Sequence, residues 1–182
     1  MVAATPFELA WAGADTATLA CGVGPVEAAA ATAAEIVRSR PDAVLHVGIA
    51  GAHAAAAIAL RVVVIGVRSV YDDLAAAIPL ERVVAASPEL LAAARRALPD
   101  APVVEIATTA GVGRSSAGSV VEAMEGFGVL RAAALADLPA LELRAISNLV
   151  GEEDRSRWDI AGALAALGVA GASVLAALEA LP

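Results

Sequence analysis

Short runs rich in valine, isoleucine and leucine alternate along the chain with longer stretches dominated by alanine. That alternation predicts buried strands joined by helices that cover both faces of a sheet. Strands are predicted at Val2–Thr5, Thr18–Cys21, Val44–Val47, Val62–Val67, Val103–Ala107 and Leu141–Ile146. Helices are predicted at Pro25–Ser39, Pro88–Leu98, Gly126–Ala136 and Asp159–Leu181. The second helix has the clearest start: Ser87 is a suitable cap, Pro88 suits the first turn and Glu89 suits the positive end. In the last helix, Gly168 and Gly171 mark points at which it could break. No repeat, linker or charge run divides the 182 residues, so one domain spanning 1–182 is expected.

Two windows without charge, 43–60 and 160–178, approach the length that crosses a bilayer. Much of their apolar content is alanine, a weak membrane anchor, and neither window has an aromatic belt or basic flank. The mean hydropathy of +0.76 therefore reads as an alanine-rich α/β domain, and no membrane association is expected. A net charge of −8, with all 12 basic residues arginine, excludes a surface attracted to nucleic acid or anionic lipid. Aromatic residues, at 3%, are too few for base-stacking platforms. The single Cys21 forms no internal disulfide and fits a reducing compartment. Met1–Leu9 lacks the basic start and unbroken apolar core of a secretory leader, and a cytoplasmic location is expected.

Candidate chemistry gathers where strands end. Cys21-Gly22-Val23-Gly24-Pro25-Val26 and Val47-Gly48-Ile49-Ala50-Gly51-Ala52 are glycine-rich turns at the carboxyl ends of strands, where open α/β sheets bind ligands. Neither is a dinucleotide fingerprint, because Glu27 stands where a third glycine is needed, and a chain without lysine has no Walker site. By themselves these glycines read first as tight strand–helix turns. Glu125, in Met124-Glu125-Gly126-Phe127, opens a helix after a short apolar segment. A carboxylate there needs partners and could accept two hydrogen bonds from a sugar diol. Arg144, Ser147 and Asn148 surround the end of a later strand, and Glu8 follows the first. Singly, each has an ordinary structural reading; together they form a constellation on strand ends. His46, His53 and Tyr71-Asp72-Asp73 read as structural, and two lone histidines make no metal site.

These stretches resemble the nucleoside phosphorylase and nucleosidase superfamily, and within it the futalosine hydrolases. The resemblance rests on Ala3-Ala4-Thr5-Pro6-Phe7-Glu8-Leu9, Gly22–Ala29, Gly48–Ala52, Val121–Phe127 and Arg144-Ala145-Ile146-Ser147-Asn148, in that order. The tail Val150-Gly151-Glu152-Glu153-Asp154-Arg155-Ser156-Arg157-Trp158-Asp159-Ile160 is the most specific match. It implies a three-layer α/β/α sandwich with a mixed, largely parallel central sheet, and hydrolysis of an N-glycosidic bond without metal or cofactor. Glu8 would activate water, Arg144 would position that carboxylate or the water, and Glu125 would bind the ribose hydroxyls beside Met124. Ser147 and Asn148 would face the purine, with Ile49 and Gly51 lining the site, and Thr108–Ser119 resembles the purine-facing segment.

Asn148 departs from the adenine-releasing nucleosidases, which place an aspartic acid there. An asparagine can accept from N7–H and donate to a 6-oxo group, a pairing that suits hypoxanthine. No arginine precedes Arg38, and Glu8 would repel a phosphate nucleophile, so water is expected to attack. A small nucleoside is the expected partner, in a homodimer or higher homo-oligomer. The alternatives are a nucleosidase acting on methylthioadenosine, adenosylhomocysteine or inosine, and a nucleoside-binding protein without catalysis.

Overall fold

The computed structural model describes residues 1–181 and builds one eight-stranded sheet. The strands are β1 (Val2–Ala3), β2 (Leu19–Ala20), β3 (Val44–Ala52), β4 (Val63–Tyr71), β5 (Val83–Ala85), β6 (Val103–Thr108), β7 (Val121–Ala123) and β8 (Ala140–Leu149). The helices are α1 (Pro25–Ser39), α2 (Pro88–Ala97), α3 (Gly126–Leu135) and α4 (Ile160–Glu179). Each predicted strand and helix has a counterpart within a few residues. Two three-residue strands, β5 and β7, carry too little pattern to be found from the sequence.

The sheet is mixed. β1 pairs in parallel with β2 and β3, β3 with β8, and β4 and β7 with β6. β8 lies antiparallel to β4, and β7 antiparallel to the end of β3. The ladder β3–β8–β4–β6–β7 therefore returns to β3 and closes on itself, with a register shift at Ala50/Gly51 where β3 begins to pair with β7. One core lies inside this closed circuit, formed by Ala50, Ala52, Val64, Ile106, Val121, Ala123 and Ile146. The two other cores lie outside it, one beneath α2 and α4 and one beneath α1 and α3.

Helical spacing explains which faces are buried. Along α1 the buried positions are Pro25, Ala28, Thr32 and Ile36, one stripe of the helix. Gly128 of α3 lets the two helices approach closely: a Cβ there would sit 2.5 Å from the Pro25 carbonyl oxygen. Ser87 stands at the cap position of α2, but its hydroxyl makes no capping bond; its backbone instead ties the helix start to Ala140.

The charge-free window 43–60 folds as β3 and the turn after it. The window 160–178 is α4, the one helix among the described residues long and apolar enough to cross a membrane. One of its stripes, Ala163, Leu167, Ala170, Gly171 and Val174, is buried in the fold. It does not break at its glycines. Those positions instead make room for the Trp11 indole, whose ring atoms lie 2.4 Å from where a Cβ of Gly171 would be.

Candidate active site

Strand ends bring the candidate residues to one cavity of about 510 Å³, of a size suited to a small organic ligand. Its wall includes Ala4, Thr5 and Glu8 after β1, Ile49–Gly51 of β3, Glu122–Glu125 around β7, and Ser147 and Asn148 of β8. Phe7, Val23, Val112, Trp158, Ile160 and Leu164 complete it. Seven of the eight predicted residues thus line one space. The eighth, Arg144, is 1% exposed and lies behind the wall.

Glu8 sits in the short 3-10 turn Pro6–Leu9 and is held by backbone and side chain together. Its Oε2 accepts from the Thr5 N–H at 3.0 Å and the Thr5 hydroxyl at 2.9 Å, and its Oε1 accepts from the Ile49 N–H at 3.0 Å. Both lone pairs of Oε2 are thereby occupied, and Oε1 keeps one acceptor position for a further donor. Glu125, at the cap position of α3, accepts from the Gly24 N–H at 3.0 Å. Burial pushes its carboxyl above the usual range, opposed by Arg144 and the Gly24 bond.

Arg144 makes its principal ion pair with Glu142, Nε to Oε1 at 2.8 Å, and reaches Glu125 at 3.5 Å. It also contacts the Ile49 carbonyl and the ring of His46. It makes no ion pair with Glu8; the two charged groups flank Gly48, whose missing side chain leaves room for both. Burial alone would lower the Arg144 pKa, but Glu142, Glu125 and Glu8 outweigh it and hold the guanidinium above its usual value. His46 is fully buried with its Nδ1 against the Val2 carbonyl and its Nε2 against Arg144. Those partners require a neutral ring protonated on Nδ1, consistent with burial and Arg144 lowering its pKa well below the usual value.

On the opposite wall, the Ser147 hydroxyl donates to Asn148 Oδ1 at 2.8 Å, and Asn148 Nδ2 donates to the Leu149 carbonyl at 3.0 Å. One amide N–H and one carbonyl lone pair of Asn148 remain for a ligand. Gly51 stands close beside it: a Cβ there would lie 3.0 Å from Asn148 Nδ2, so the amide would have to give by a few tenths of an ångström.

Several contributors escaped the sequence reading. Ser69 and Glu142 lie in mid-strand, where an isolated polar residue carries no recognisable spacing. Glu122 binds the N–H groups of Gly113 and Ser115, each at 2.6 Å, and so shapes the segment that brings Val112 to the cavity. The residues read as structural serve that segment too: Asp73 accepts from the Ala110 N–H, Asp72 from Ser116, and His53 pairs with Ser115. Cys21 is free and buried, its thiol pushed up to about 11 by burial. Among the described residues, no three His, Cys, Asp or Glu side chains are grouped to hold a metal ion.

The chain is thus an α/β protein with a cavity at the ends of a mixed sheet, acidic on one wall and amide-bearing on the other, an arrangement chemically able to meet hydroxyl groups on one side and a polar heterocycle on the other. The chain belongs to the phosphorylase superfamily, whose family model matches residues 4–181. It is 62% identical over 50 residues to the futalosine hydrolase of Streptomyces coelicolor; that stretch is 28% of this chain and 21% of the relative. The match thus spans about a fifth of that relative's length. The fold is similar to futalosine hydrolase of Helicobacter pylori (TM-score 0.85, 17% identity, 96% of each chain). It is also similar to the 5′-methylthioadenosine/S-adenosylhomocysteine nucleosidase of Neisseria meningitidis in complex with methylthio-immucillin-A (TM-score 0.83, 21% identity, 96% of each chain).

Proposed function

We propose that this protein hydrolyses the N-glycosidic bond of futalosine and releases hypoxanthine, a step in making menaquinone. The observation that carries the hydrolytic reading is the Glu8 carboxylate on the cavity wall, with no basic side chain among the lining residues. A doubly charged phosphate would meet repulsion there, whereas water would meet a base. Futalosine as the substrate is supported by the resemblance of the Val150–Ile160 tail and by the named relatives.

The bond breaks through a transition state with positive charge on the ribose and negative charge on the purine. Glu8 accepts a proton from water through the open position on Oε1, and the water oxygen bonds to C1′ as the C1′–N9 bond breaks. The bonding electron pair leaves with the purine, and N7 takes its proton from solvent. Glu125 accepts from the ribose hydroxyls, and Met124 packs against the sugar. The carboxylates of Glu8 and Glu125 favour the cationic ribose electrostatically. Asn148 offers its free carbonyl position to N7–H and its free N–H to a 6-oxo group, and adenine presents the wrong polarity at the second of these. Arg144, lining no part of the cavity, is a positioning residue.

The same reading places the protein in the cytoplasm, where a free buried Cys21 is at home, and as a homo-oligomer. Support for assembly comes from Phe7, Val23 and Val112, which line the cavity yet are 77%, 58% and 48% exposed.

Base release from futalosine, inosine and methylthioadenosine, offered separately without phosphate, tests the reading. Hypoxanthine from futalosine is expected, with kcat reduced about 10²- to 10⁴-fold in Glu8→Gln, the usual worth of a general base. Adenine release would overturn the role given to Asn148. No release from any of the three would leave a binding protein.

A further inference from the structure

Glu142 is fully buried and lines no part of the cavity, yet one of its two polar contacts runs to Arg144, directly behind the site, and the other to Ser69. Its Oε1 accepts from Arg144 Nε at 2.8 Å, and its Oε2 accepts from the hydroxyl of Ser69, itself fully buried on β4. Both oxygens also press against the backbone of Gly126, where a Cβ would lie 2.3 Å from each. Gly126 opens α3 and directly follows Glu125, so the carboxylate rests at the positive end of that helix. Arg144 closes the loop by reaching Glu125 Oε2 at 3.5 Å. Glu142 therefore borders Glu125 in two ways, by close packing against Gly126 at the start of α3 and by polar contacts through the guanidinium.

A buried ion pair is not the cheapest way to fill a core, because apolar residues of similar volume are often as stable. A carboxylate with two fixed donors and a helix end does something that an apolar residue cannot: it holds the guanidinium in one orientation. We propose that Glu142, anchored by Ser69, is a positioning residue that fixes Arg144 and the start of α3 so that the Glu125 carboxylate is presented to the sugar hydroxyls of the ligand. This rests on the assignment of Glu125 to the ribose.

The test is binding of 9-deazainosine, whose carbon–carbon link to ribose resists cleavage, and of its 2′-deoxy form, by calorimetry. The ratio of the two affinities measures how well Glu125 is presented. In the wild type the ribose form should bind about tenfold tighter or better, the worth of one charge-assisted hydrogen bond. Glu142→Gln should bring that ratio close to one while changing affinity for the deoxy form by less than about threefold, and Ser69→Ala should lower the ratio part of the way. Adding Glu142→Gln to Glu125→Gln should cost nothing further in the ratio. Equal weakening of both ligands, or a preserved ratio in a folded Glu142→Gln, would overturn the proposal. If Glu142→Gln does not fold, Ser69→Ala decides alone, and an unchanged ratio in it would overturn the proposal. A wild type without ribose preference would overturn both the role of Glu125 and the proposal. Ribose preference with no base release from any nucleoside would overturn the nucleosidase reading and leave the proposal standing.

Discussion

Gly48 shows how tightly the site is specified at the scale of single residues. A methyl group there would fall 2.1 Å from Arg144 Nη1 and 2.8 Å from Glu8 Oε1. Neither side chain can yield freely, since one is anchored in the core and the other holds three hydrogen bonds. Gly48→Ala should therefore lower kcat/KM about a hundredfold, the effect of moving a reacting group by about 1 Å. Steady-state assay beside a thermal melt would separate that loss from unfolding. Glu125 makes a pH prediction. Its carboxyl is pushed up by burial, so its proton is held more tightly in the folded chain than in the unfolded one. Its contribution to stability is present under acid conditions and lost as pH rises through the raised pKa. Glu125→Gln should raise the denaturation midpoint at neutral pH and have little effect in acid, while KM for a ribonucleoside rises at neutral pH, where the wild-type carboxyl is ionised, and changes little in acid. In the wild type, KM should climb with acidification from above the usual glutamate range, because a protonated carboxyl accepts the diol poorly. Glu8, Ser147 and Asn148 were legible in the sequence as polar residues near predicted strand ends, whereas Arg144, read there too, lies within β8 and behind the cavity wall. Ser69 and Glu142 were not legible: 73 positions separate them, and no local pattern links them.

At the scale of elements, α4 illustrates a feature that composition alone misreads. Its glycines suggest a break, but they accommodate Trp11, which packs across the helix in the same core as Ala163 and Leu167. An indole is rigid, so Gly171→Ala should destabilise the fold by about 1–3 kcal/mol through overpacking, read from the denaturant midpoint. Activity at a temperature where the variant is folded should be nearly unchanged. The segment between β6 and β7 shows a different dependence. It has no regular structure of its own and is shaped by Asp72, Asp73, Glu122 and His53, all outside it. Helix boundaries were legible because amphipathic spacing and proline are local signals. β5 and β7 were not, because three residues exist as a strand only when a partner edge is supplied.

At the scale of the whole molecule, closure of the β3–β8–β4–β6–β7 circuit brings Glu122–Glu125 opposite Ser147 and Asn148 and so makes one cavity of two separate sets of residues. The apolar rim of Phe7, Val23 and Val112 predicts that assembly and substrate affinity are linked. Phe7→Asp should shift the protein to monomer in sedimentation and raise KM about tenfold, a loss typical of one buried aromatic contact. A monomeric wild type would remove the basis for that expectation. The sequence by itself determined the α/β class, the order of its main elements and the residues at strand ends, because hydrophobic period, caps and glycine turns act over a few positions. Only the tertiary structure decided the closed circuit, the placement of Arg144 behind the wall and the Ser69–Glu142 anchor. Those depend on hydrogen bonds between strands distant in sequence, and whether such groups meet is fixed by how the whole sheet closes.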